Sequence, residues 1–288
     1  MREKAMKKTD PIAEEIKSIK KTASETLSKC WPEAFFIAFF SMGIPIMVYL
    51  LIYILAILTN SGVSYSSLPI PNDFHNPVFT VGAIIIAVTA YLASSPLYIG
   101  IQWFYLQLAG GNIMPVSSIF VPYKSREFFL KALKLRLIVA LRRFFVIVPC
   151  IFVIDLVYQY VVCNVSIPDT LSDVIFGLCI LLTIFILIQR TVKYLPSGYL
   201  IVEYTDSKSS DIIKMCREFY KSYPVPLLRL IISFVGLMIL CLFMFPLLLL
   251  VPYMMLSIAI YTKRHIIGET DSDNLPDSME KPAAYDIR

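Results

Sequence analysis

The chain has 288 residues, of which 57% are hydrophobic and only 16% are charged, and its mean hydropathy is +0.71. A water-soluble domain of this size covers itself with polar and charged side chains, so this composition excludes an ordinary soluble protein and predicts that lipid is the solvent. The net charge is +5. Because the basic residues lie between apolar runs rather than on a soluble domain, we expect no nucleic-acid partner.

The first 29 residues are polar, with eight Lys and Arg side chains among them. The apolar run behind them extends for about 25 residues without a small-residue cleavage site, which is too long for the apolar core of a signal peptide. We therefore predict a basic cytoplasmic segment over residues 1–29, followed by a first span that is not cleaved.

Four apolar runs that contain no Lys or Arg each predict one membrane-spanning helix, because about 20 apolar residues cross the ~30 Å hydrocarbon layer. Ser94, Ser95 and Pro96 fall in the middle of the second run, where they predict a kink. The four runs cover residues 34–58, 79–108, 144–162 and 174–189.

The last apolar run covers residues 230–261, and as one helix it would be about 48 Å long, more than one straight span can use. We expect a break near Phe245 and Pro246 that makes two spans. With six spans, all 26 Lys and Arg side chains lie on one side of the membrane, whereas five spans would place Lys263 and Arg264 on the other. Basic residues favour the cytoplasmic side, so six spans with both chain ends in the cytoplasm are predicted.

The predicted fold is therefore all-α, a polytopic six-transmembrane-helix bundle in the cell membrane whose last two spans form a tight hairpin. The membrane domain is expected to cover residues 30–264. Residues 265–288 are expected to form a disordered cytoplasmic tail.

Two segments between the spans are predicted to be amphipathic helices on the inner membrane surface. Residues 124–142 gather most of their basic side chains on one arc, and we expect this helix to lie in the interface before it turns into the third span. Residues 210–220 show a similar separation of faces. Such faces either bind anionic headgroups or a partner, or serve only as topology determinants attracted to an acidic leaflet by about 1 kcal/mol per basic residue. The candidates for headgroup or partner binding are Lys131, Lys134, Arg142 and Arg143.

Asp155 is the acidic residue that falls well inside a predicted span, and Gln159 follows it by one turn. An ionisable side chain at this depth is costly, which makes it a functional-site hypothesis by default. With Gln159 and Gln102 it would line a path for protons, cations or a small solute. Two other interpretations are a protonated, hydrogen-bonded structural residue and an ordinary carboxylate near the outer interface.

The sequence holds few enzyme signatures. Its two histidines, His75 and His265, belong to no metal-binding or catalytic motif, and its 10 glycines form no phosphate-binding loop. We therefore predict that the protein is not an enzyme and has no catalytic residue, no metal site and no cofactor.

Short motifs along the chain resemble a known family. The clearest is Ser-Pro-Leu-Tyr-Ile-Gly at residues 95–100, and further matches include Ser-Phe-Val-Gly at residues 233–236 and Pro252 with Tyr253. Over residues 23–261 the chain resembles bacterial integral membrane proteins catalogued as domain of unknown function 975. It departs from the family pattern at Cys150, where a glycine is usual. The resemblance implies six spans and offers no established activity.

These observations predict a non-catalytic membrane component, an accessory or scaffold subunit with a basic cytoplasmic face. Its partners would be membrane lipids, together with another membrane protein or a transporter complex. The alternative is a permease for a small solute or peptide that uses the intramembrane carboxylate of Asp155.

Overall fold

The computed structural model describes residues 10–59, 63–64, 70–71, 77–164, 169–222, 224–240 and 245–267. The described residues are almost entirely helical, as the sequence predicts, and one two-residue antiparallel ladder pairs Val63 with Pro71 and Ser64 with Ile70. They group into two compact units. The first unit lies within Met1–Leu133 and Phe234–Asp273, and the second within Lys134–Ser233. The hydropathy pattern does not indicate this division.

The helices are numbered in chain order, and a 3₁₀ turn at Val116–Phe120 precedes the fourth. They are α1 (Pro11–Leu27), α2 (Trp31–Leu58), α3 (Pro77–Ala109), α4 (Val121–Lys124), α5 (Arg126–Asn164), α6 (Asp169–Lys193), α7 (Ser197–Glu203), α8 (Ser209–Ser222), α9 (Pro224–Ile232), α10 (Val235–Leu240) and α11 (Phe245–Thr262). The two strands, β1 (Val63–Ser64) and β2 (Ile70–Pro71), lie between α2 and α3.

The segment that we predicted only as basic and polar contains an amphipathic helix, α1. Asp10 caps this helix by accepting a hydrogen bond from the Ile12 backbone N–H at 3.2 Å, and Pro11 occupies its first turn. Ile19 and Ala23 are fully buried. Because α1 packs against α11, its apolar stripe belongs to the core of the first unit.

Polar contacts from α11 and the π-helical turn after it, Lys263–Ile267, also hold α1. The Tyr253 hydroxyl donates to the Lys20 carbonyl oxygen at 3.3 Å. The Lys20 ammonium lies 4.2 Å from the centre of the Phe234 ring, close enough for a cation–π interaction. Side-chain pairs complete the contact: Arg264 with the Ser18 and Thr22 hydroxyls, and His265 with Glu15.

The rest of the first unit's core surrounds the second half of α3. Residues from Ser95 to Leu108 are largely buried there, where α3 packs against α2 and α11. Earlier in the helix, Val81, Ile85 and Val88 are more than half exposed. Apolar side chains exposed along a helix of this length are expected where lipid replaces water.

Gly100 allows the 3₁₀ turn to cross α3 at close range. A Cβ atom at this position would lie 1.9 Å from the Ile119 carbonyl oxygen, so only glycine fits against that backbone. Tyr123 makes a second connection, because its hydroxyl donates to the Ala93 carbonyl oxygen. Pro96 lies three residues after Ala93 and lacks the backbone N–H that would bond the Leu92 carbonyl oxygen in the α3 ladder.

Residues 126–142 are helical, as predicted, but they continue without a break into the third predicted span and form with it one helix of 39 residues, α5. At 1.5 Å per residue this helix is about 58 Å long, roughly twice the hydrocarbon thickness. Arg126 opens α5 after Ser125, whose backbone is extended. The basic stretch contains good helix formers and no glycine or proline, so nothing in it ends the helix before the apolar run begins.

The second unit places shorter helices against α6. Both α8 and α9 pack on α6, and α7 packs on α8. The prediction of an amphipathic helix over residues 210–220 is confirmed by α8: Ile212, Ile213 and Cys216 are buried, whereas Lys214 and Arg217 are exposed.

Within the described residues, four helical stretches are long and apolar enough to cross a membrane: Trp31–Leu58, Pro77–Ala109, Arg126–Ile154 and Gly177–Glu203. They coincide with the first four predicted spans and are compatible with a multi-pass membrane protein. For the last two predicted spans the structure describes shorter apolar helices, Pro226–Leu237 and the 18-residue α11.

α11 begins at Phe245, next to which the sequence predicts a break in the last apolar run. Pro246 stands in the first turn of α11, where its missing N–H costs no helical hydrogen bond. Residues 241–244 lie outside the described residues. α10, which precedes them, packs against α11.

Candidate functional site

Basic side chains interrupt the packing face of α5 where the apolar run begins. Ala132, Leu135 and Val139 are buried at helical spacing and define this face. Arg142 takes the next position on the same face, and both Arg142 and Arg143 are half-buried. An arginine at a packing position covers apolar surface with its stem while its guanidinium needs polar partners.

One such partner stands at the end of α6. The Arg142 Nη1 atom donates a hydrogen bond to the Tyr194 hydroxyl at 3.1 Å, and the guanidinium carbon lies 5.6 Å from the centre of the Tyr194 ring. The Tyr194 side chain is itself buried. The Tyr194 carbonyl oxygen accepts a hydrogen bond from the Ser197 hydroxyl at 2.6 Å, which ties the residue to the start of α7. Tyr194 therefore holds the Arg142 guanidinium in one place.

A cavity of about 240 Å³ opens beside this pair. The described residues that line it are three arginines, one tyrosine and two apolar residues, with no Asp or Glu among them. The lining residues are Arg142, Arg143, Phe145, Val146, Arg190 and Tyr194. Like charges gathered around one cavity repel each other, so the arrangement favours an anion between them.

The position of the cavity follows from the apolar runs. Arg143 is the last basic residue before the apolar run of α5, and Arg190 is the first basic residue after the apolar run of α6. Because α5 and α6 are consecutive predicted spans, these two ends face the same side of the membrane. The cavity is therefore expected at the level of lipid headgroups.

More positive charge surrounds the end of α6. The Lys193 Nζ atom lies 5.9 Å from the ring centre of Tyr194 and 6.0 Å from that of Tyr220 on α8. Both distances are at the outer limit of a cation–π interaction. Lys193 and Arg190 also stand in the last turn of α6, where cations interact favourably with the helix dipole.

The predicted headgroup candidates separate into two pairs. Arg142 and Arg143 line the cavity, whereas Lys134 is exposed and Lys131 is half-buried, and neither lysine lines it. Sequence analysis missed Arg190 and Tyr194. The signal for Arg190 is its place directly after an apolar run, which mirrors the place of Arg143 before one.

Of the three intramembrane polar candidates, Gln102 belongs to the first unit and the other two to the second. Gln102 is buried in the first unit, within the second half of α3. Gln159 is exposed on α5 in the second unit. Asp155 stands one turn before it on α5, and its side chain lies outside the described part of the chain. The predicted path through these three residues stays a prediction.

Metal binding finds no support in the described ranges, which contain no group of three or more His, Cys, Asp or Glu side chains that could hold an ion. The buried thiol of Cys216 on α8 is also poorly suited to nucleophilic chemistry. Burial raises its pKa to about 12, and the thiolate is the reactive form of cysteine.

Comparison with known proteins identifies no relative, since no family model, curated protein or solved structure matches the chain. The resemblance to domain of unknown function 975 stays a prediction. Function is therefore inferred from the basic cavity of the second unit.

Proposed function

We propose that this chain is a non-catalytic membrane component, an accessory or scaffold subunit whose basic cytoplasmic face binds anionic lipid headgroups. The observation that carries the proposal is the cavity beside Arg142 and Tyr194, which three arginines line at the end of two apolar stretches. Guanidinium groups bind phosphate oxygens through paired, charge-assisted hydrogen bonds.

The proposal includes six spans in the cell membrane with both chain ends in the cytoplasm. The four established apolar stretches supply the first four spans, and residues 224–240 and 245–262 supply a hairpin of two more. In this topology the cavity faces the cytoplasm, whose leaflet carries the anionic lipids that attract basic side chains. The exposed side chains of Lys214 and Arg217 would add to this attraction.

Lipid binding is tested by thermal unfolding of the purified full chain in mild detergent. A ligand that binds only the folded state raises the unfolding temperature in proportion to its occupancy. We expect added phosphatidylglycerol to raise this temperature and added phosphatidylcholine to leave it nearly unchanged. Equal responses to the two lipids would contradict a basic lipid-binding face.

The accessory role is tested by isolating the tagged chain from its native membrane. We expect a second membrane protein to be recovered in a fixed ratio to the chain in mild detergent, and to be lost in a denaturing detergent. Recovery of the chain alone under the mild condition would overturn the scaffold role and leave lipid binding to be judged on its own.

A further inference from the structure

The cavity of the second unit matches one class of phosphate better than others. The described residues of its lining carry three formal positive charges, from Arg142, Arg143 and Arg190, and include no Asp or Glu. A phosphodiester headgroup brings one negative charge. A phosphate monoester brings about 1.5 to 2 negative charges near pH 7, together with three terminal acceptor oxygens. The monoester therefore offsets more of the repulsion among the three arginine charges, and it offers more acceptor oxygens to the guanidinium N–H groups.

We propose that this cavity is a binding site for a phosphate monoester, held by the guanidinium groups of Arg142, Arg143 and Arg190. Tyr194 positions the site, because its hydroxyl accepts a hydrogen bond from Arg142 and its buried ring fixes the side of the cavity. With that bond accepted, the hydroxyl proton remains available for donation to a ligand oxygen. The inference rests on the proposed function and names the ligand class of the same face.

The apolar part of the lining favours a lipid as the source of the phosphate. Phe145 and Val146 line the cavity, and Phe145 is 68% exposed. Val148 and Phe152 continue an exposed apolar strip along α5, three and seven residues further on. A lipid with a monoester headgroup, such as phosphatidic acid, would place its acyl chains on this strip. A free phosphate would use the polar lining alone.

The test compares ligands by the shift in unfolding temperature of the full chain in detergent. The probes are phosphatidic acid, phosphatidylglycerol, phosphatidylcholine and inorganic phosphate. We expect phosphatidic acid to bind about tenfold more tightly than phosphatidylglycerol, as one further charge-assisted contact would provide. If inorganic phosphate alone matches phosphatidic acid, the site stands and its ligand is a free phosphate.

Substitutions locate the binding. Arg142→Gln and Arg190→Gln should each weaken phosphatidic acid binding about tenfold or more. The matched control is Lys134→Gln, which removes one exposed charge of α5 outside the cavity and should change binding by less than about twofold. Equal losses from Lys134→Gln and Arg190→Gln would show diffuse attraction and overturn the site.

The ligand comparison on the unmodified chain needs no variant to fold, so it decides the proposal even if an arginine substitution prevents folding. If both anionic lipids stabilise the chain equally and more than phosphatidylcholine, the monoester site is wrong while the proposed lipid-binding face stands. If neither anionic lipid exceeds phosphatidylcholine and phosphate has no effect, both proposals fail.

Discussion

Single residues decide how closely the segments of the first unit approach each other, and Gly100 is the clearest case. The Ile119 carbonyl oxygen occupies the space that a Cβ atom would need. Hydropathy predicts α3 well because lipid selects its apolar side chains. It cannot predict this contact, because a hydropathy scale gives glycine the same value whether the residue faces lipid or another backbone. Gly100 entered the sequence analysis only as part of a motif.

Replacement of Gly100 by alanine should therefore destabilise the fold. We expect Gly100→Ala to cost about 3 kcal/mol, because the opposing atom belongs to the backbone and cannot rotate away. The matched control is Gly43→Ala in α2, where a Cβ atom meets nothing within 4 Å and alanine is the better helix former. Unfolding temperatures in detergent measure the difference, and equal temperatures for the two variants would contradict the close contact.

Cys216 offers a second prediction for a single side chain. Burial raises its pKa to about 12, so at pH 8 its thiolate fraction is about 10³-fold below that of an ordinary cysteine. A variant that keeps only Cys216 should resist maleimide from pH 7 to 9. In the matched control, Cys216→Ala with Arg217→Cys, the thiol stands on the exposed face of α8 and should react faster as pH rises. Equal labelling rates would show that α8 does not bury its apolar face.

The headgroup candidates show what sequence can and cannot predict at this scale. Arg142 and Arg143 were identified as basic side chains of the amphipathic stretch that precedes the third predicted span. Tyr194 could not be identified from the sequence, because its role depends on a hydrogen bond with Arg142, which lies 52 residues earlier in the chain. Pairing between distant segments leaves no periodic trace in either of them.

Among the elements, the long apolar helices were predictable and the amphipathic ones only partly. Twenty charge-free residues leave few alternatives to a spanning helix. The apolar residues of α1 follow a helical period at Ile12, Ile16, Ile19, Ala23 and Leu27. The charged residues between them lower the mean hydropathy of the segment, so a search for apolar runs does not find it. In α5 the sequence suggested a boundary that the structure does not have. A change from basic to apolar residues does not by itself end a helix.

Docking of α1 can be tested by limited proteolysis. Ile19→Ala removes a fully buried side chain from the contact with α11 and should cost about 2–5 kcal/mol of docking energy. Trypsin should then cut at the lysines of α1 faster, because cleavage follows the population of the open form. Ser24→Ala, on the exposed side of the same helix, keeps every tryptic site and should be cut at the original rate. Equal rates for both variants would exclude a docked α1.

For the whole molecule, the distribution of Lys and Arg along the chain predicts the orientation of the spans, which the helices alone do not. Residues 59–77 and 163–173 contain no Lys or Arg, whereas every segment assigned to the cytoplasm is basic. This asymmetry predicts the orientation of all spans at once, because basic segments are retained on the cytoplasmic side. Helix lengths fix neither the orientation nor the number of spans, since α9, α10 and α11 are short.

Cysteine labelling tests this topology directly. On a cysteine-free background, Ser66→Cys should react with a membrane-impermeant maleimide in intact cells, because residue 66 belongs to a predicted outer loop. Ser272→Cys should react only after the membrane is permeabilised. Labelling of Ser272→Cys from outside would overturn the six-span arrangement.

The contact between α1 and α11 also has a consequence for the order of events during synthesis. Tyr253 and Lys20 are separated by 233 residues. At 5–20 residues per second, α11 leaves the ribosome roughly 10 to 50 s after α1. During that interval the apolar stripe of α1, with Ile19 and Ala23, has no α11 to cover it. A nascent or truncated chain thus displays an apolar helix that the finished chain hides, which marks incomplete molecules for chaperones and proteases.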